Sequence, residues 1–143
     1  MQRMEITFRT VRRQDISRII EVFQSISDFT PPEEQHERIW AAFSGQSNVK
    51  AIVAECGGRI VAYGAIMLEV KIRGGILGHI EDIVTDKDHR KLGVGSKLME
   101  RLCEIAAENA AYKIVLECKE HNVPFYERLG FSLNGSAMEK LLK

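Results

Sequence analysis

The sequence contains little cysteine, little proline and no excess of either charge. Its 143 residues include three cysteines and three prolines, and 20 basic side chains balance 20 acidic ones. An odd number of cysteines without a C-x-x-C pair argues against a disulfide framework and against a zinc ribbon. Cys56, Cys103 and Cys118 are therefore expected to be reduced thiols, which is typical of a cytoplasmic protein.

The chain also lacks the features of proteins that bind nucleic acid, membranes or metals. A net charge of zero provides no general attraction to nucleic acid or to anionic lipid. The longest apolar stretch, residues 51–68, is interrupted by Glu55, Gly57, Gly58 and Arg59, so it is not expected to span a bilayer. The four histidines show no metal-ligand spacing, and we expect no bound metal.

Hydrophobic periodicity predicts strands and helices within a single domain that covers residues 1–143. We predict strands at residues 5–11, 49–54, 59–68, 76–85, 112–118 and 131–142. Helices are predicted at residues 16–23, where Asp15 is the expected N-cap, and at residues 31–43, 94–109 and 123–129. The strand–helix–strand order in the second half implies a parallel strand pair, and hence an α/β fold with a mixed sheet.

A glycine-rich turn is the most informative local pattern. Residues 89–96, HRKLGVGS, follow a predicted strand and begin an amphipathic helix. The first amides of a helix have no partner inside the helix, and the helix dipole makes that end positive. Glycines allow close approach, and Arg90 and Lys91 add positive charge, so the segment suits a phosphate or a pyrophosphate. Taken alone, the pattern is equally consistent with an ordinary turn between a strand and a helix.

The segment Arg90 to Gly95 resembles the R/Q-x-x-G-x-G/A signature of the GNAT superfamily of N-acetyltransferases. A closer resemblance, to the eukaryotic-type glucosamine 6-phosphate N-acetyltransferases, rests on GHIEDIV at residues 78–84, YKIVLEC at 112–118 and NVPFYERLGF at 122–131. Together these segments cover most of residues 78–131. The first half resembles the family only in the order of its strands and helices.

The resemblance implies a fold, a cosubstrate and an assembly. It implies a central mixed sheet, flanked by helices and splayed between its fourth and fifth strands, with acetyl-CoA in the splay and two subunits in a homodimer. Backbone groups of Ile83 and Val84 would contact the pantetheine and the acetyl carbonyl, and the turn amides would hold the pyrophosphate. The implied cofactor-binding residues are Ile83, Val84, Arg90, Lys91, Leu92, Gly93, Val94, Gly95, Ser96, Asn122, Tyr126 and Arg128.

Acetyl transfer to an amine needs groups that remove a proton, stabilise the carbonyl oxygen and protonate the leaving thiolate. Glu81, Asp82 and Glu117 are carboxylates on predicted central strands, and the resemblance assigns them to the amine and hydroxyls of a sugar. The family usually has Asp where this chain has Glu117. The resemblance makes Tyr126 the general acid, although a tyrosine beside Phe125 is more commonly a packed aromatic. Tyr126, Glu117 and Asp82 are the predicted catalytic residues.

A phosphorylated sugar also requires cations. Lys71, Arg73 and Lys140 are the candidate phosphate ligands, and Lys113 is either a substrate ligand or a member of a structural ion pair. Ser27 lies near the position of a substrate-contacting hydroxyl in the family, but Ser27 and Arg73 are also consistent with ordinary surface side chains. The predicted substrate-binding residues are Ser27, Lys71, Arg73, Glu81, Asp82, Lys113, Glu117 and Lys140.

Three functions remain open at this stage. The chain is a glucosamine 6-phosphate acetyltransferase, an acetyltransferase for a protein or another small amine, or a catalytically silent CoA-binding module. The GHIED segment with Lys71 and Lys140 favours the first, because a protein substrate does not need a phosphate site. Tyr126 and the paired carboxylates argue against the silent module.

Overall fold

The computed structural model describes residues 5–143, apart from the side chain of Lys91. Within that range the chain forms five strands and four α-helices. The strands are β1 (Ile6–Thr10), β2 (Val49–Cys56), β3 (Arg59–Val70), β4 (Ile76–Thr85) and β5 (Ala111–Val115). The helices are α1 (Ile16–Phe23), α2 (His36–Ser44), α3 (Val94–Glu108) and α4 (Val123–Arg128).

The five strands form one sheet in the order β1-β2-β3-β4-β5. The first four strands are antiparallel neighbours, and β5 pairs with β4 in parallel. The β2–β3 hairpin turns at Gly57 and Gly58, whose φ values of 61° and 77° favour glycine. The predicted mixed sheet, its hairpin and its parallel pair are therefore confirmed.

Helices cover both faces of the sheet. On one face α3 buries the predicted stripe of Val94, Leu98, Leu102 and Ile105 against β3 and β4. On the other face α1 and α2 pack on a second cluster that includes Val53. The two faces are called below the α3 side and the α1/α2 side.

The parallel pairing of β4 with β5 stops halfway along β4. Residues Ile76–His79 pair with Ala111–Val115, but β4 continues to Thr85 with no strand of the described chain bonded on that side. The two strands therefore diverge, which confirms the predicted splay. The divergence leaves backbone groups of residues 80–85 available to a ligand on the β5 side.

The predicted closing strand at residues 131–142 is wrong. Residues 131–143 form no strand, and Leu133, Met138, Leu141 and Leu142 are exposed. Alternation alone does not provide a pairing partner, and this segment pairs neither with the free outer edge of β5 nor with any other strand of the described chain. The strand predicted at residues 112–118 is shorter than expected, because β5 ends at Val115.

Asp15 does not cap α1 through its side chain, contrary to the prediction. Its buried carboxylate instead accepts hydrogen bonds from Arg9 at 2.7 and 2.9 Å and from the backbone N–H of Arg12 at 2.7 Å. The Arg9 hydrogen bond lowers the pKa of Asp15 below its ordinary value. The Arg9–Asp15 ion pair thereby links β1 to the start of α1.

We predict that Asp15→Asn lowers the free energy of unfolding at neutral pH by roughly 2 kcal/mol, because Arg9 loses a buried anionic partner. Since the folded-state pKa of Asp15 is depressed, its carboxylate stabilises the fold above the unfolded pKa of about 4. That stabilisation is lost as the pH falls through the lower folded-state pKa. Urea unfolding of both proteins at neutral pH and at about pH 3 should therefore show a shrinking difference.

The matched control is Glu37→Gln. Glu37 has an exposed carboxylate that pairs with Arg13, and the substitution removes this ion pair. Exposed pairs contribute little, so this change should cost less than about 1 kcal/mol. Equal losses for Asp15→Asn and Glu37→Gln would show that the Asp15 site has no special role in linking β1 to α1.

Candidate functional site

A β-bulge in β4 shapes the centre of the sheet. Tyr63 pairs with Val84 and Ala65 with Glu81, so Asp82 and Ile83 together lie opposite Gly64. Asp82 has a φ of 55°, a left-handed conformation that is rare for residues other than glycine. A Cβ at position 64 would lie only 2.6 Å from Ile83 Cδ1, so the glycine lets the Ile83 side chain pack closely over the opposing strand.

The bulge turns two consecutive carboxylates to the same side of the sheet. Neighbouring side chains of a regular strand point to opposite faces. Here Glu81 lies opposite Ala65, a member of the α1/α2-side core, and Asp82 lines a cleft on that side together with Tyr63. Both carboxylates are exposed. They therefore offer negative charge to a cationic group beside the unpaired part of β4.

The N-terminus of α3 is free of side-chain capping. Its N-cap, Gly93, has a φ of 74° and no side chain to cap the helix, and a Cβ built on it would meet no atom within 4 Å. The first amides of α3 can therefore be approached by an anion. A Cβ at Gly95 would lie 3.5 Å from Phe125 Cζ and 3.6 Å from Thr85 Oγ1. The turn thus lies between α4 and the end of β4.

A hydrogen-bond network anchors this turn to α1. The carboxylate of Asp86 accepts from the backbone N–H of Asp88 at 3.0 Å, and Arg18 donates to the same carboxylate at 2.6 Å. Arg18 also donates to the carbonyl of Ile60 at 3.0 Å. The Asp88 hydrogen bond, followed by Arg18, holds the pKa of Asp86 below its ordinary value. The start of the glycine turn is therefore fixed by an ion pair that joins it to the opposite face of the sheet.

The predicted cofactor-binding residues lie along one path from β4 to α4. Ile83 and Val84 lie on the unpaired part of β4, and Gly93 and Gly95 lie at the start of α3. Asn122 is the N-cap of α4 and Arg128 its last residue. Four of these side chains are exposed: Arg90, Leu92, Asn122 and Arg128. Ser96 is half-buried, and Val94 is buried, so Val94 offers only its backbone to a ligand. The Lys91 side chain lies outside the described structure.

Tyr126 is packed and also faces a groove. Its ring makes edge contacts with Phe125 and Phe131, at centroid distances of 5.0 and 6.0 Å. Burial, and then the nearby Cys118, raise the pKa of Tyr126 above its ordinary value, so the phenol stays protonated at neutral pH. The residue lines a groove of about 760 Å³ between β5, α4 and the C-terminal segment. A packed aromatic and a proton donor are both compatible with this placement.

A structural ion pair was one alternative for Lys113. Lys113 does not form such a pair with Glu117. Both side chains are exposed, and neither has an ion-pair partner among the described residues. Both line the groove beside Tyr126, whereas Asp82 lines the cleft on the α1/α2 side. Asp82 and Glu117 therefore lie in two different depressions, and Glu81 lines neither of them.

The candidate phosphate ligands lie away from Asp82. Lys71 pairs at 3.0 Å with Glu69, Arg73 donates to the hydroxyl of Tyr112 at 3.3 Å, and Lys140 is exposed in the C-terminal segment. None of these three cations lines the cleft that contains Asp82. Ser27 does line it, and its hydroxyl accepts a hydrogen bond from the Phe29 amide at 3.1 Å.

Sequence reasoning missed the bulge. It also missed Tyr63, which lies next to Gly64 on the opposing strand. The available signal was a tyrosine beside Gly64 in an otherwise aliphatic strand, and it did not stand out from ordinary core packing. Within residues 5–143 no three His, Cys, Asp or Glu side chains are grouped to hold a metal ion. No helix in that part of the chain has the length and apolarity needed to cross a membrane.

Comparison with known proteins places this geometry in context. Residues 18–131 match the Acetyltransferase (GNAT) family. The chain is 32% identical over 132 residues to the glucosamine 6-phosphate N-acetyltransferase of Trypanosoma brucei brucei, covering 90% of both chains. It is 32% identical over 139 residues to glucosamine 6-phosphate N-acetyltransferase 1 of Dictyostelium discoideum, covering 93% of this chain and 88% of the other.

A solved structure agrees with the fold. The glucosamine-6-phosphate N-acetyltransferase from Arabidopsis thaliana superposes with a TM-score of 0.90 at 27% identity, covering 97% of this chain and 99% of the other. The splayed mixed sheet with helices on both faces is thus the fold of that enzyme too.

We predict that Gly93→Glu raises the dissociation constant of acetyl-CoA at least tenfold, corresponding to about 1.4 kcal/mol, because its carboxylate would repel the pyrophosphate at the start of α3. Gly58→Glu is the matched control, since Gly58 has a φ of 77° and an equally open Cβ position in the β2–β3 turn. Both variants should show a similar fall in melting temperature from backbone strain. Calorimetric titration that finds the same acetyl-CoA affinity in both variants would contradict the site.

Proposed function

Because the chain belongs to the acetyltransferase (GNAT) family, we propose that it transfers the acetyl group of acetyl-CoA directly to the 2-amino group of D-glucosamine 6-phosphate. The products are N-acetyl-D-glucosamine 6-phosphate and CoA, and the reaction supplies UDP-N-acetylglucosamine biosynthesis. The observation that carries the proposal is the bulged β4, which presents Glu81 and Asp82 next to a splay and an uncapped helix N-terminus. The named relatives support the choice of sugar.

Acetyl-CoA is a cosubstrate in this family, and the chain offers groups suited to each of its parts. The amides at Gly93 and Gly95, with Arg90 nearby, suit the pyrophosphate. The unpaired backbone of Ile83 and Val84 suits the pantetheine amides and the thioester carbonyl, because its hydrogen bonds are not used by β5. A donor aimed at the carbonyl oxygen stabilises the negative charge that develops there during transfer.

The acceptor amine is assigned to the carboxylates of β4. An ammonium must lose a proton before it can attack a thioester. Asp82 and Glu81 attract the ammonium, and Asp82 is the candidate to receive the proton directly or through water. Asp82 lines the cleft from the bulge, so an amine bound to its carboxylate would be held beside the unpaired part of β4.

Tyr126 is proposed to protonate the departing CoA thiolate. The phenol is protonated at neutral pH, and its packing against Phe125 and Phe131 holds the ring in place. A protonated thiol is a better product than a free thiolate in a partly desolvated groove.

A homodimer would complete the site. The outer edge of β5 has no strand partner in the described chain, and residues 131–143, which carry several exposed apolar side chains, do not pair with it. The distant Lys71, Arg73 and Lys140, together with Glu117, could then contribute from a neighbouring subunit to a phosphate site that one chain does not form. A monomer with full activity, observed by sedimentation at micromolar concentration, would contradict this assembly.

Two other functions use the same geometry. A protein or other small amine would also be attracted by Asp82, but it would not require the cations of the β3–β4 turn and the C-terminal segment. A silent CoA-binding module would not require Tyr126 or the carboxylates. We place the reaction in the cytoplasm, where the free thiols of Cys56, Cys103 and Cys118 remain reduced.

We expect the chain to acetylate glucosamine 6-phosphate with a kcat/KM far above that for glucosamine. A lost charge-assisted contact costs roughly 1.5–3 kcal/mol, so the preference should exceed about tenfold. Release of free CoA thiol is measured with a panel of acceptors that also includes lysine peptides. Equal rates with both sugars would exclude a phosphate site, and a peptide preferred over both sugars would favour the protein-amine alternative.

For Tyr126→Phe we predict a fall in kcat of about 10²-fold, the usual effect of a lost general acid. Because the ring is retained, acetyl-CoA affinity and melting temperature should change little. The matched control is Tyr112→Phe, which removes an exposed tyrosine hydroxyl near the β3–β4 turn and should leave kcat unchanged. Wild-type kcat in Tyr126→Phe, when chemistry limits the rate, would make Tyr126 a packing residue only.

A further inference from the structure

The cleft on the α1/α2 side is mostly apolar. It has a volume of about 420 Å³ and lies between α1, α2 and the sheet. Its walls include Phe23, Phe29, Trp40 and Phe43, and Asp82 is the one charged side chain among the described residues that line it. A ligand here therefore meets few polar groups, so each of them has a large influence on which ligand is accepted.

Tyr63 brings one of those polar groups into the cleft. It lies on β3 with 6% of its surface exposed, and its ring makes an edge contact with Phe23 at a centroid distance of 5.2 Å. Its hydroxyl has no hydrogen bond to any described residue. The Tyr63 oxygen is nevertheless accessible to solvent. Among the described residues, His89 Nδ1 is the one polar side-chain atom that is both fully buried and without a hydrogen-bond partner.

The Tyr63 hydroxyl is therefore a donor that opens into an apolar cleft and has no partner among the described residues. Water can satisfy it in the unliganded protein, and a ligand that displaces this water without offering an acceptor leaves the donor unpaired at a cost in free energy. Burial, and then the charge of Asp82, raise the pKa of Tyr63, so its hydroxyl remains a donor at neutral pH. Asp82 lines the same cleft, and the two side chains do not hydrogen-bond to each other. A ligand in the cleft can therefore meet both groups.

A 2-amino sugar supplies two such groups on neighbouring carbons. Its amine is flanked by the hydroxyls of C1 and C3, so one protein group can bind the amine while a second binds a hydroxyl. Its ring also has an apolar face that suits the apolar wall formed by Phe23. The arrangement of a carboxylate, a phenol and an apolar wall therefore matches the chemistry around C2 of the sugar, which carries the reacting amine.

We propose that Tyr63 is a specificity-determining contact for the acceptor, with its hydroxyl hydrogen-bonded to the C1 or C3 hydroxyl of the sugar whose amine meets Asp82. This inference rests on the proposed function and adds to it a residue that selects an amino sugar over a simple amine. A site built around a substrate hydroxyl discriminates strongly against an analogue that lacks it, because the protein donor is then left unpaired. Tyr63 would thus act on acceptor binding and not on the leaving thiolate.

The test is a coupling experiment between Tyr63→Phe and acceptors that lack one hydroxyl. kcat/KM is measured for glucosamine 6-phosphate and for its 1-deoxy and 3-deoxy analogues. With glucosamine 6-phosphate, Tyr63→Phe should lower kcat/KM about tenfold, mainly by raising the acceptor KM. With one of the two analogues the wild-type protein should already show a similar loss, and Tyr63→Phe should add nothing to it. Acetyl-CoA affinity and melting temperature should be unchanged.

Tyr126→Phe provides the comparison, because it removes a hydroxyl of the same kind on the opposite side of the reacting centre. It should lower kcat for all three acceptors and keep the discrimination between them. Equal losses for Tyr63→Phe with all three acceptors, or no loss with glucosamine 6-phosphate, would overturn the contact while leaving the proposed function intact. A wild-type protein that is inactive on glucosamine 6-phosphate would overturn the proposed function and this contact with it.

Discussion

The site depends on the bulge where Asp82 and Ile83 share the space opposite Gly64. In a regular strand, Glu81 and Asp82 would point to opposite faces, and one carboxylate would be directed into the core under α3. The bulge keeps both carboxylates on the α1/α2 side and sends Ile83 to the other face, where it packs against Leu102 and over Gly64. A left-handed φ at a non-glycine residue is strained, so the packing of Ile83 contributes to holding a conformation that the chain alone disfavours.

The same region of β4 would separate the two halves of the proposed reaction. Beyond His79 the strand has no partner on the β5 side, so its backbone is open to a ligand, while Asp82 lines the cleft on the α1/α2 side. The start of α3 lies at the end of this strand, and Arg18 ties the intervening turn to α1. A ligand that spans the splay and the helix N-terminus is thus brought to one point beside Asp82.

Much of this organisation could be predicted from the sequence, because it rests on local patterns. The stripe Val94, Leu98, Leu102 and Ile105 defined α3, the Gly57–Gly58 turn defined a hairpin, and the glycines before α3 marked a helix N-terminus without a side-chain cap. The remainder depends on long-range contacts. The sequence places Asp15 at a helix cap but does not reveal Arg9 as its partner, and the alternation in residues 131–142 does not show whether that segment pairs with the sheet. Tyr63 was overlooked because its role depends on a cleft formed by three elements.

The central claim is that CoA lies in the splay between β4 and β5 with its pyrophosphate at the start of α3. Amide hydrogen exchange with and without CoA tests it most directly, because the first N–H groups of a helix have no internal partner and exchange readily when free. The account predicts slower exchange at residues 95–96 and 83–85 on CoA binding, with no change in the β2–β3 turn at Gly58. Unchanged exchange at the start of α3, with protection appearing only around the α1/α2 cleft, would contradict it.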